Sequence, residues 1–459
     1  MKDDQENGRP TRNAAPEAGR TIVSGESHTA AGRFQLLFRA FRHRNYRLFF
    51  LGQTLSLVGV WMQVIAVGWL VYRLTGSALQ LGVVAFASQI SILVLTPFAG
   101  LLADRMNRRR LLIWTQSLAL LQALTLTILV FSSSVRVWQI ALLSLMNGVI
   151  NSFDMPARHS FVADLVDRED LANAIPLNSA MFNSARLVGP SLAGILIARY
   201  GEGICFLVNA ASYLAVLAAL CAMRMSSDPP APTNGRRALS EIVDGFRYAW
   251  RLFPIRAILL LLCLLSIAVM PYTTLLPAFA RDILRAGSTD YGFMVTASGV
   301  GCLICNFFFA SRKNVTGLAR IIPFSCVAAS IGLIGLSLCR GLPVSYLWLF
   351  LLGGVTMAQL TASNVILQTV VDEEKRGRVM SLYIMSFIGM IPIGSLIAGT
   401  IAERFGVTGT LFGGACLFLV GSLLFIAWFP RLSRELRLVY QGLGILAKPS
   451  ADGNGTPTA

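Results

Sequence analysis

The stretch GLLADRMNRRR, residues 100–110, decides the fold of this chain. It places five charged residues between two long apolar runs. An apolar run of about 20 residues is long enough to cross roughly 30 Å of hydrocarbon as a helix. Short loops rich in arginine and lysine stay on the cytoplasmic side of a membrane. The stretch therefore predicts a tight cytoplasmic turn between two membrane-spanning helices.

The composition of the whole chain indicates the same class of protein. Of its 459 residues, 55% are hydrophobic and only 14% are charged, and the mean hydropathy is +0.64. A soluble protein needs far more polar surface than this to cover its core. We predict an all-α membrane protein whose twelve transmembrane helices lie near residues 46–72, 78–103, 111–131, 137–155, 172–199, 203–223, 256–280, 289–310, 318–339, 343–367, 379–402 and 407–429.

Lysine and arginine are distributed unevenly between the two predicted sides. Between residues 33 and 448, the inner segments hold 27 of these residues and the outer loops hold seven. This bias predicts that both termini are cytoplasmic in a bacterial inner membrane. The net charge of +16 favours contact with anionic lipid headgroups over nucleic acid, because no basic patch alternates with exposed aromatic residues.

The predicted organisation has five segments. We expect a disordered cytoplasmic tail at 1–33, a six-helix bundle at 34–223, a cytoplasmic loop at 224–255, a second six-helix bundle at 256–430 and a cytoplasmic tail at 431–459. The second half of the loop has the pattern of an amphipathic helix that lies along the inner surface.

The two halves carry similar motifs, which favours an internal duplication. LAGILIARYG at 192–201 matches IAGTIAERFG at 397–406 with an offset of 205 residues. Gly82 and Gly292 align at an offset of 210, together with the Ala-Ser pairs at 87–88 and 297–298. The two offsets are nearly the same and match the spacing of six predicted helices, so we predict two six-helix pseudo-repeats.

Enzyme, metal and cofactor motifs are missing from the sequence. Cys302 and Cys305 have the spacing of a redox or zinc motif, but one pair without neighbouring histidines does not complete a metal site. No P-loop pattern and no nucleophile–base set occur either. We therefore expect no cofactor, no metal and no enzymatic activity.

The pattern of residues 100–110, Gly-x3-Asp-Arg-x-Asn-Arg-Arg, resembles the signature between helices 2 and 3 of the major facilitator superfamily of secondary transporters. The resemblance implies a gate on the cytoplasmic side. Asn107 replaces the usual glycine, and Asn314 lies near the place of the aspartate in the second half. The alternative is a topological anchor with no gating role. The candidate gating residues are Gly100, Asp104, Arg105, Arg108, Arg109, Asp372, Arg376 and Arg378.

Arg186 lies within the fifth predicted span, where an unpaired charge costs about 2.5–3.5 kcal/mol on insertion scales. The segment RLVGPSLAG, residues 186–194, resembles the helix-5 motif of exporters in this superfamily. It implies a mobile helix with Gly189, Pro190 and Gly194 as its hinge, and Arg186 as a buried charge that meets an anion or an ion-pair partner. The alternative is a kinked packing helix with a structural arginine.

Asp154 is the deepest carboxylate, because no Asp or Glu lies in the middle of any predicted span. It would neutralise Arg186 or Arg158, or carry a coupling proton if partial burial favours its neutral form. The alternative is an ordinary helix-end carboxylate with a salt bridge in the cytosol. Proton coupling is thus implied by the resemblance and does not follow from these residues.

Polar and aromatic residues within the spans are candidates for a substrate cavity. Buried amides also serve as interhelical hydrogen-bonding groups, and each one fits that role equally well. The candidates are Trp61, Gln63, Gln89, Asn147, Asn151, Asn178, Asn183, Tyr213, Tyr272, Gln359 and Asn364, with Asn209, Asn306 and Tyr383 as further possibilities.

Three passages, at 70–82, 155–194 and 372–383, are similar to the branch that contains the enterobactin exporter and related siderophore and drug efflux proteins. The resemblance implies a monomeric exporter of a small amphipathic, siderophore-like molecule, driven by proton antiport. Its partners would be this substrate, protons and membrane lipid. The alternatives are multidrug or lysolipid translocation and, more distantly, a scaffold or receptor that transports nothing.

Overall fold

The computed structural model describes residues 39–224, 246–312 and 317–442, except the side chains of residues 97–98, 100–105, 438–439 and 442. The predicted tail at 1–33, most of the central loop and Asn314 lie outside these residues. So do the side chains of the candidate gating residues Asp104 and Arg105.

The described chain is helical almost throughout, as an apolar sequence inside a membrane requires, because only a helix satisfies its own backbone hydrogen bonds there. The helices are α1 Arg44–Thr75, α2 Ala78–Arg105, α3 Arg108–Phe131, α4 Val137–Ala163, α5 Leu171–Tyr200, α6 Gly203–Ala222, α7 Phe253–Ala268, α8 Tyr272–Ala278 with a π-helical turn Phe279–Ile283, α9 Ser288–Ser311, α10 Leu318–Leu338, α11 Leu342–Val370, α12 Glu373–Phe387 and α13 Ile391–Gly442.

Ten helical runs in the described chain are long and apolar enough to cross a membrane. Two of the twelve predicted spans account for the difference. Helix α4 spans 27 residues, but Asn147, Asn151 and Asp154 lower its hydropathy. The run Glu373–Arg437 is 65 residues long and covers two predicted spans. Such a run is far longer than one membrane crossing needs.

The long helix α13 contains a break at Gly406, which has φ 75° and ψ 161°. Gly201, which follows α5, has φ 78° and ψ 176°. Both values lie in a region that only glycine adopts without strain. The two glycines are 205 residues apart, the offset at which their sequence motifs match.

Helices α1–α6 pack against one another as a first bundle, and α7–α13 pack as a second bundle. The same pairings recur in both: α2 lies against α4 as α9 lies against α11, and α3 lies against α4 as α10 lies against α11. The two most extensive contacts between the bundles are α2 with α13 and α5 with α9, and α8 also touches α1 and α2. We call this junction the seam.

Glycine contacts inside each bundle repeat at the same offsets. Gly148 of α4 packs on the backbone oxygen of Ser88, and Gly353 of α11 packs on that of Ser298. The two glycines are 205 residues apart and the two serines 210 apart. Residues of α4 therefore have counterparts in α11 that are found by adding 205.

We predict that Gly353→Ala destabilises the protein, because the added methyl group would lie under 3.0 Å from the carbonyl oxygen of Ser298. Overpacking of this kind costs typically about 1–3 kcal/mol. Thermal unfolding in detergent should show a lower melting temperature. The matched control is Gly413→Ala, whose methyl group would have no neighbour within 4 Å, and it should melt like the parent.

Two segment boundaries differ from the prediction. Residues 246–251 are helical and α7 already begins at Phe253, so the second bundle starts before residue 256. Helix α13 continues to Gly442, beyond the predicted end of the bundle at residue 430. Arg431 and Glu435 form an (i, i+4) ion pair of 3.3 Å in this extension, an arrangement that favours continued helix.

Candidate functional site

Asp154 lies in α4 with only 2% of its surface exposed. Its carboxylate forms an ion pair with Arg158, one turn further along the same helix. It also accepts hydrogen bonds from Thr115 Oγ1 at 2.9 Å and Gln116 Nε2 at 2.8 Å, both in α3. A buried carboxylate requires this degree of compensation. Of the partners considered above, Asp154 pairs with Arg158 and not with Arg186.

A small crevice opens beside this ion pair inside the first bundle. Its volume is about 20 Å³, which is enough for one water molecule. A water here would connect the carboxylate to neighbouring polar groups. The lining residues are Gln53, Ser56, Val60, Gln116, Ala119, Asn147, Ile150, Asn151, Asp154, Arg158 and Tyr213.

The second bundle has a neutral version of this arrangement. Adding 205 to Asp154 and Arg158 gives Gln359 and Ser363 on α11, and both are completely buried. Neither the amide of Gln359 nor the hydroxyl of Ser363 has a hydrogen-bond partner among the described residues. The buried ion pair therefore occupies one bundle, and uncharged polar groups occupy the corresponding place in the other.

Arg186 lies on α5 at the seam and is half-buried. Its guanidinium sits 5.8 Å from the ring centroid of Trp61, and its Nη2 lies 3.7 Å from Cys302 Sγ on α9. Trp61 in turn packs edge-on against Phe182. Within the described residues, no carboxylate oxygen lies within 4.0 Å of this guanidinium. The arginine thus has aromatic and thiol neighbours but no ion-pair partner.

The predicted hinge glycines make close helix contacts. Gly189 packs on the backbone of α1 at Val58, and Gly194 packs on the carbonyl oxygen of Ser288 in α9. Helix α5 runs unbroken from Leu171 to Tyr200 through Pro190. Gly189 and Gly194 therefore allow α5 to approach two neighbouring helices, and a hinge motion at Pro190 stays a prediction.

Two glycine pairs close the seam near the end of the helices that carries Gly201 and Gly406, here called the far end. A Cβ on Gly194 would lie 2.7 Å from the Ser288 oxygen, and one on Gly399 would lie 2.7 Å from the Ala78 oxygen. The facing glycines, Gly292 and Gly82, are equally crowded by the partner helix. Backbones approach this closely only where side chains are absent.

Polar contacts reinforce the seam at the far end. Tyr72 at the end of α1 donates its hydroxyl to Asp282 of the π-helical turn. Glu403 of α13 accepts hydrogen bonds from Ser77 Oγ at 2.9 Å and from the backbone N–H of Leu79 at 3.2 Å, at the start of α2. A carboxylate at a helix N-terminus is favourable. The far end is thus held closed by backbone packing and by hydrogen bonds.

The opposite end, here called the cationic end, carries the turn at residues 106–107 and the first turn of α3. Asn107 has φ −63° and its side chain accepts a hydrogen bond from the N–H of Arg110 at 3.1 Å, so it caps α3. The turn needs no glycine, because this φ is available to any residue. Arg108 binds Asp164 at 2.7 Å, and Arg109 donates to the carbonyl oxygens of Leu220 and Cys221 at 2.8 and 3.1 Å. These contacts all lie within the first bundle.

The segment 372–378 lies at the cationic end of the second bundle. Asp372 accepts a hydrogen bond from the hydroxyl of Tyr248 at 3.0 Å, and Arg376 lies 3.8 Å from Glu373. Burial raises the pKa of Tyr248, and the hydrogen bond to Asp372 raises it further. Asp372 therefore ties the start of α12 to the helical residues that precede α7.

Some predicted cavity residues form hydrogen bonds between helices inside the bundles. Gln63 donates to Gln122 at 3.1 Å and accepts from Asn209 at 2.8 Å, and all three are buried. Tyr272 is buried and its hydroxyl lies 2.8 Å from Ser298 Oγ. These groups fill the interhelical hydrogen-bonding role that was the alternative to substrate contact.

The remaining cavity candidates are distributed over several helices. Asn147, Asn151 and Tyr213 line the crevice beside Asp154, and Trp61 contacts Arg186. Asn183 donates to the carbonyl oxygen of Ser179, and Gln368 donates to Asn364. The half-buried residues among the candidates are Trp61, Gln89, Asn147, Asn151, Asn178, Asn183, Asn306, Asn364 and Tyr383.

Sequence reasoning missed the partners of Asp154 on α3. Thr115 and Gln116 form an adjacent polar pair in the third predicted span, at a depth similar to that of Asp154. That coincidence of depth was the available signal. Sequence reasoning also missed Glu202, which is buried and forms a bidentate pair with Arg73 at 2.6 and 3.1 Å.

With this geometry in place, comparison with known proteins identifies the family. The family model described as "Transmembrane secretion effector" matches residues 37–435. The chain belongs to this family of the major facilitator superfamily. The resemblance to the major facilitator superfamily is thus confirmed. The family and the relatives are transporters and not enzymes, as expected.

Similar proteins have the same character as the family. The chain is 26% identical over 394 residues to the staphyloferrin A transporter of Staphylococcus aureus, covering 85% of this chain and 97% of that protein. It is 25% identical over 383 residues to the multidrug efflux pump Tap of Mycolicibacterium fortuitum, covering 82% and 93%. The crystal structure of the nucleoside transporter NupG has a TM-score of 0.66 at 14% identity, covering 84% and 99%, a likeness of fold alone.

Membership in this family and the ten membrane-length runs establish a multi-pass, all-helical membrane transporter with a major facilitator-like fold.

Proposed function

We propose that this protein is a twelve-helix secondary transporter that exports a small amphipathic, siderophore-like molecule across the bacterial inner membrane in exchange for protons. Counting α4 as a span, and dividing the run Glu373–Arg437 at the Gly406 end, would give twelve crossings in two six-helix repeats. The repeated glycine contacts support the duplication. Both termini would then be cytoplasmic, in agreement with the charge bias between loops.

Alternating access is the proposed mechanism. The far end would face outward, and the closed seam there fits an inward-facing state. The partners of Arg108 and Arg109 lie within the first bundle. These two arginines therefore contribute no contact between the bundles at the cationic end in this state. In the outward-facing state, Asp104, Arg105 and the segment 372–378 would close the cationic end instead.

Asp154 is the proposed coupling residue, and its contacts are the observation that carries the proton-antiport proposal. It is the buried carboxylate that has both a cationic partner and a crevice with room for water. A proton that reaches it would release Arg158 from the ion pair and change the packing between α3 and α4. Buried ionisable residues in transporters commonly carry protons in this way.

Two cargo classes have support from relatives. The similarity to the staphyloferrin A transporter supports a siderophore, and the similarity to the pump Tap supports multidrug efflux as the second candidate. The siderophore is preferred because the unpaired Arg186 suits a ligand with negative charge.

Inverted membrane vesicles test the proposal directly. We expect them to accumulate staphyloferrin A when the vesicle interior is made more acidic than the medium. This accumulation should be lost when the pH gradient is dissipated. Accumulation of a macrolide antibiotic but not of the siderophore would favour the multidrug candidate. Accumulation that is indifferent to the gradient would contradict proton antiport, and no accumulation of either compound would contradict both cargo classes.

A further inference from the structure

Arg186 has no carboxylate counter-ion among the described residues, and a bound ligand could supply one. We infer that Arg186, Trp61 and Phe182 form the binding site for an amphipathic organic anion, with the guanidinium holding a carboxylate and the rings covering the adjacent apolar part. The inference rests on the proposed transport function and names the chemical class of its cargo.

The charges at the seam are not balanced among the described side chains. The other deep arginine, Arg158, has a carboxylate partner in Asp154. Arg186 has none within 4.0 Å among the described residues, although it lies in a membrane-spanning helix. A charge at that depth normally faces a partner or a water-filled path. An ionised ligand that enters between the bundles supplies the missing partner.

Trp61 and Cys302 are neighbours of the Arg186 guanidinium. The contact with the Trp61 ring is a cation–π contact, and the contact with Cys302 Sγ is at most a weak hydrogen bond. The planar fork of N–H donors on Arg186 therefore remains available to an acceptor. Arginine binds carboxylate through two parallel hydrogen bonds, which lysine cannot reproduce. The cation–π contact at 5.8 Å orients the guanidinium without neutralising its charge.

The site lies at the seam. Trp61 lies on α1, Arg186 and Phe182 on α5, and Cys302 on α9, so the cluster touches both bundles. Thr296 of α9 also donates to the carbonyl oxygen of Leu187 at 3.2 Å beside it. A ligand held here contacts the surfaces that must separate when the bundles rock, which is where a transported molecule has to bind.

Equilibrium binding to the purified full-length protein in detergent tests the inference. The probes are carboxyfluorescein as the amphipathic anion, ethidium as the matched cation, and citrate as a competitor. We expect saturable binding of carboxyfluorescein that citrate displaces, and a loss of affinity of at least about tenfold in Arg186→Gln, equivalent to one charge-assisted contact. Arg186→Lys should retain part of the affinity, because it keeps the charge and loses the planar fork.

The matched control is Arg199→Gln, which removes another arginine of α5 that lies 5.8 Å over a tyrosine ring. It should bind carboxyfluorescein like the parent. Failure of the parent to bind either anion, equal binding by Arg186→Gln, or preference for ethidium would overturn the inference.

Thermal unfolding of the ligand-free protein provides a second, independent measurement. Because Arg186 has no carboxylate partner, Arg186→Gln should melt at or above the temperature of the parent. A marked fall in melting temperature would identify a structural arginine and overturn the inference. Binding is measured without any gradient, so a protein that binds the anion but fails to accumulate staphyloferrin A would contradict the transport proposal alone.

Discussion

The double variant Asp154→Asn with Arg158→Gln is expected to fold and to bind substrate, but to lose transport driven by a proton gradient. It replaces the buried ion pair by neutral groups of similar size, as in Gln359 and Ser363 of the second bundle. Exchange of a buried pair for neutral residues is often tolerated, whereas removal of one partner costs about 3–5 kcal/mol. Proton-driven accumulation in inverted vesicles should fall at least about tenfold, the effect of losing some 1.4 kcal/mol of coupling.

The single variants separate stability from coupling. Asp154→Asn alone leaves Arg158 as an uncompensated, partly buried cation, so this variant should melt at a lower temperature than the double variant. Substrate exchange without a gradient should survive in the double variant, because no net proton movement is required. Glu435→Gln, which removes the half-buried carboxylate partner of the exposed Arg431, is the control. Full proton-driven accumulation by the double variant would eliminate Asp154 as the coupling residue.

Alanine at Gly399 and Gly292 is expected to drive the far end open. Each added methyl group would lie under 3.0 Å from a backbone oxygen of the facing helix, Ala78 for Gly399 and Pro190 for Gly292. Overpacking of about 1–3 kcal/mol per site would change the ratio of closed to open states by roughly 5- to 150-fold. Transport should fall, because the cycle then stalls with the far end open.

Spin labels at Arg136 and Arg340, exposed residues next to α4 and α11, can measure this shift in a background without the eight native cysteines. The distance distribution should move to longer values in the alanine variants. Gly413→Ala, with no neighbour within 4 Å of its methyl group, should leave the distribution unchanged. Unchanged distances in Gly399→Ala and Gly292→Ala would show that the crowding is relieved within the closed state.

Much of the fold follows from the sequence, because a few strong requirements, apolar composition and sufficient length, determine where membrane helices lie. Apolar length locates most helices, and the motif LAGILIARYG with its copy located the glycines at 201 and 406 that share an unusual backbone conformation. The interruption of α7 before Tyr272 and the π-helical turn after α8 were not foreseen. Hydropathy carries no information on such breaks, because nearby backbone carbonyls still accept the N–H groups there, as Leu265 does for Met270 and Phe279 for Leu284.

The site was less predictable than the fold. Asp154 and Arg186 were found because a charge within an apolar span is conspicuous. Which partner each one meets depends on helix rotation and on the register between helices, and neither is encoded in local composition. Gln63 therefore looked like a cavity residue, although Gln122 and Asn209 satisfy its amide inside the bundle.

The neutral pair Gln359 and Ser363 has a consequence for the whole cycle. The two bundles share the same helix pairings, but within the described residues the Asp154–Arg158 pair beside the crevice has the neutral counterparts Gln359 and Ser363 in the second bundle. Whatever binds to or leaves Asp154 changes the electrical state of the first bundle and not of the second. In the proposed antiport cycle the two units would therefore not be interchangeable: the first would respond to the proton, and the second would be the neutral surface against which the first moves.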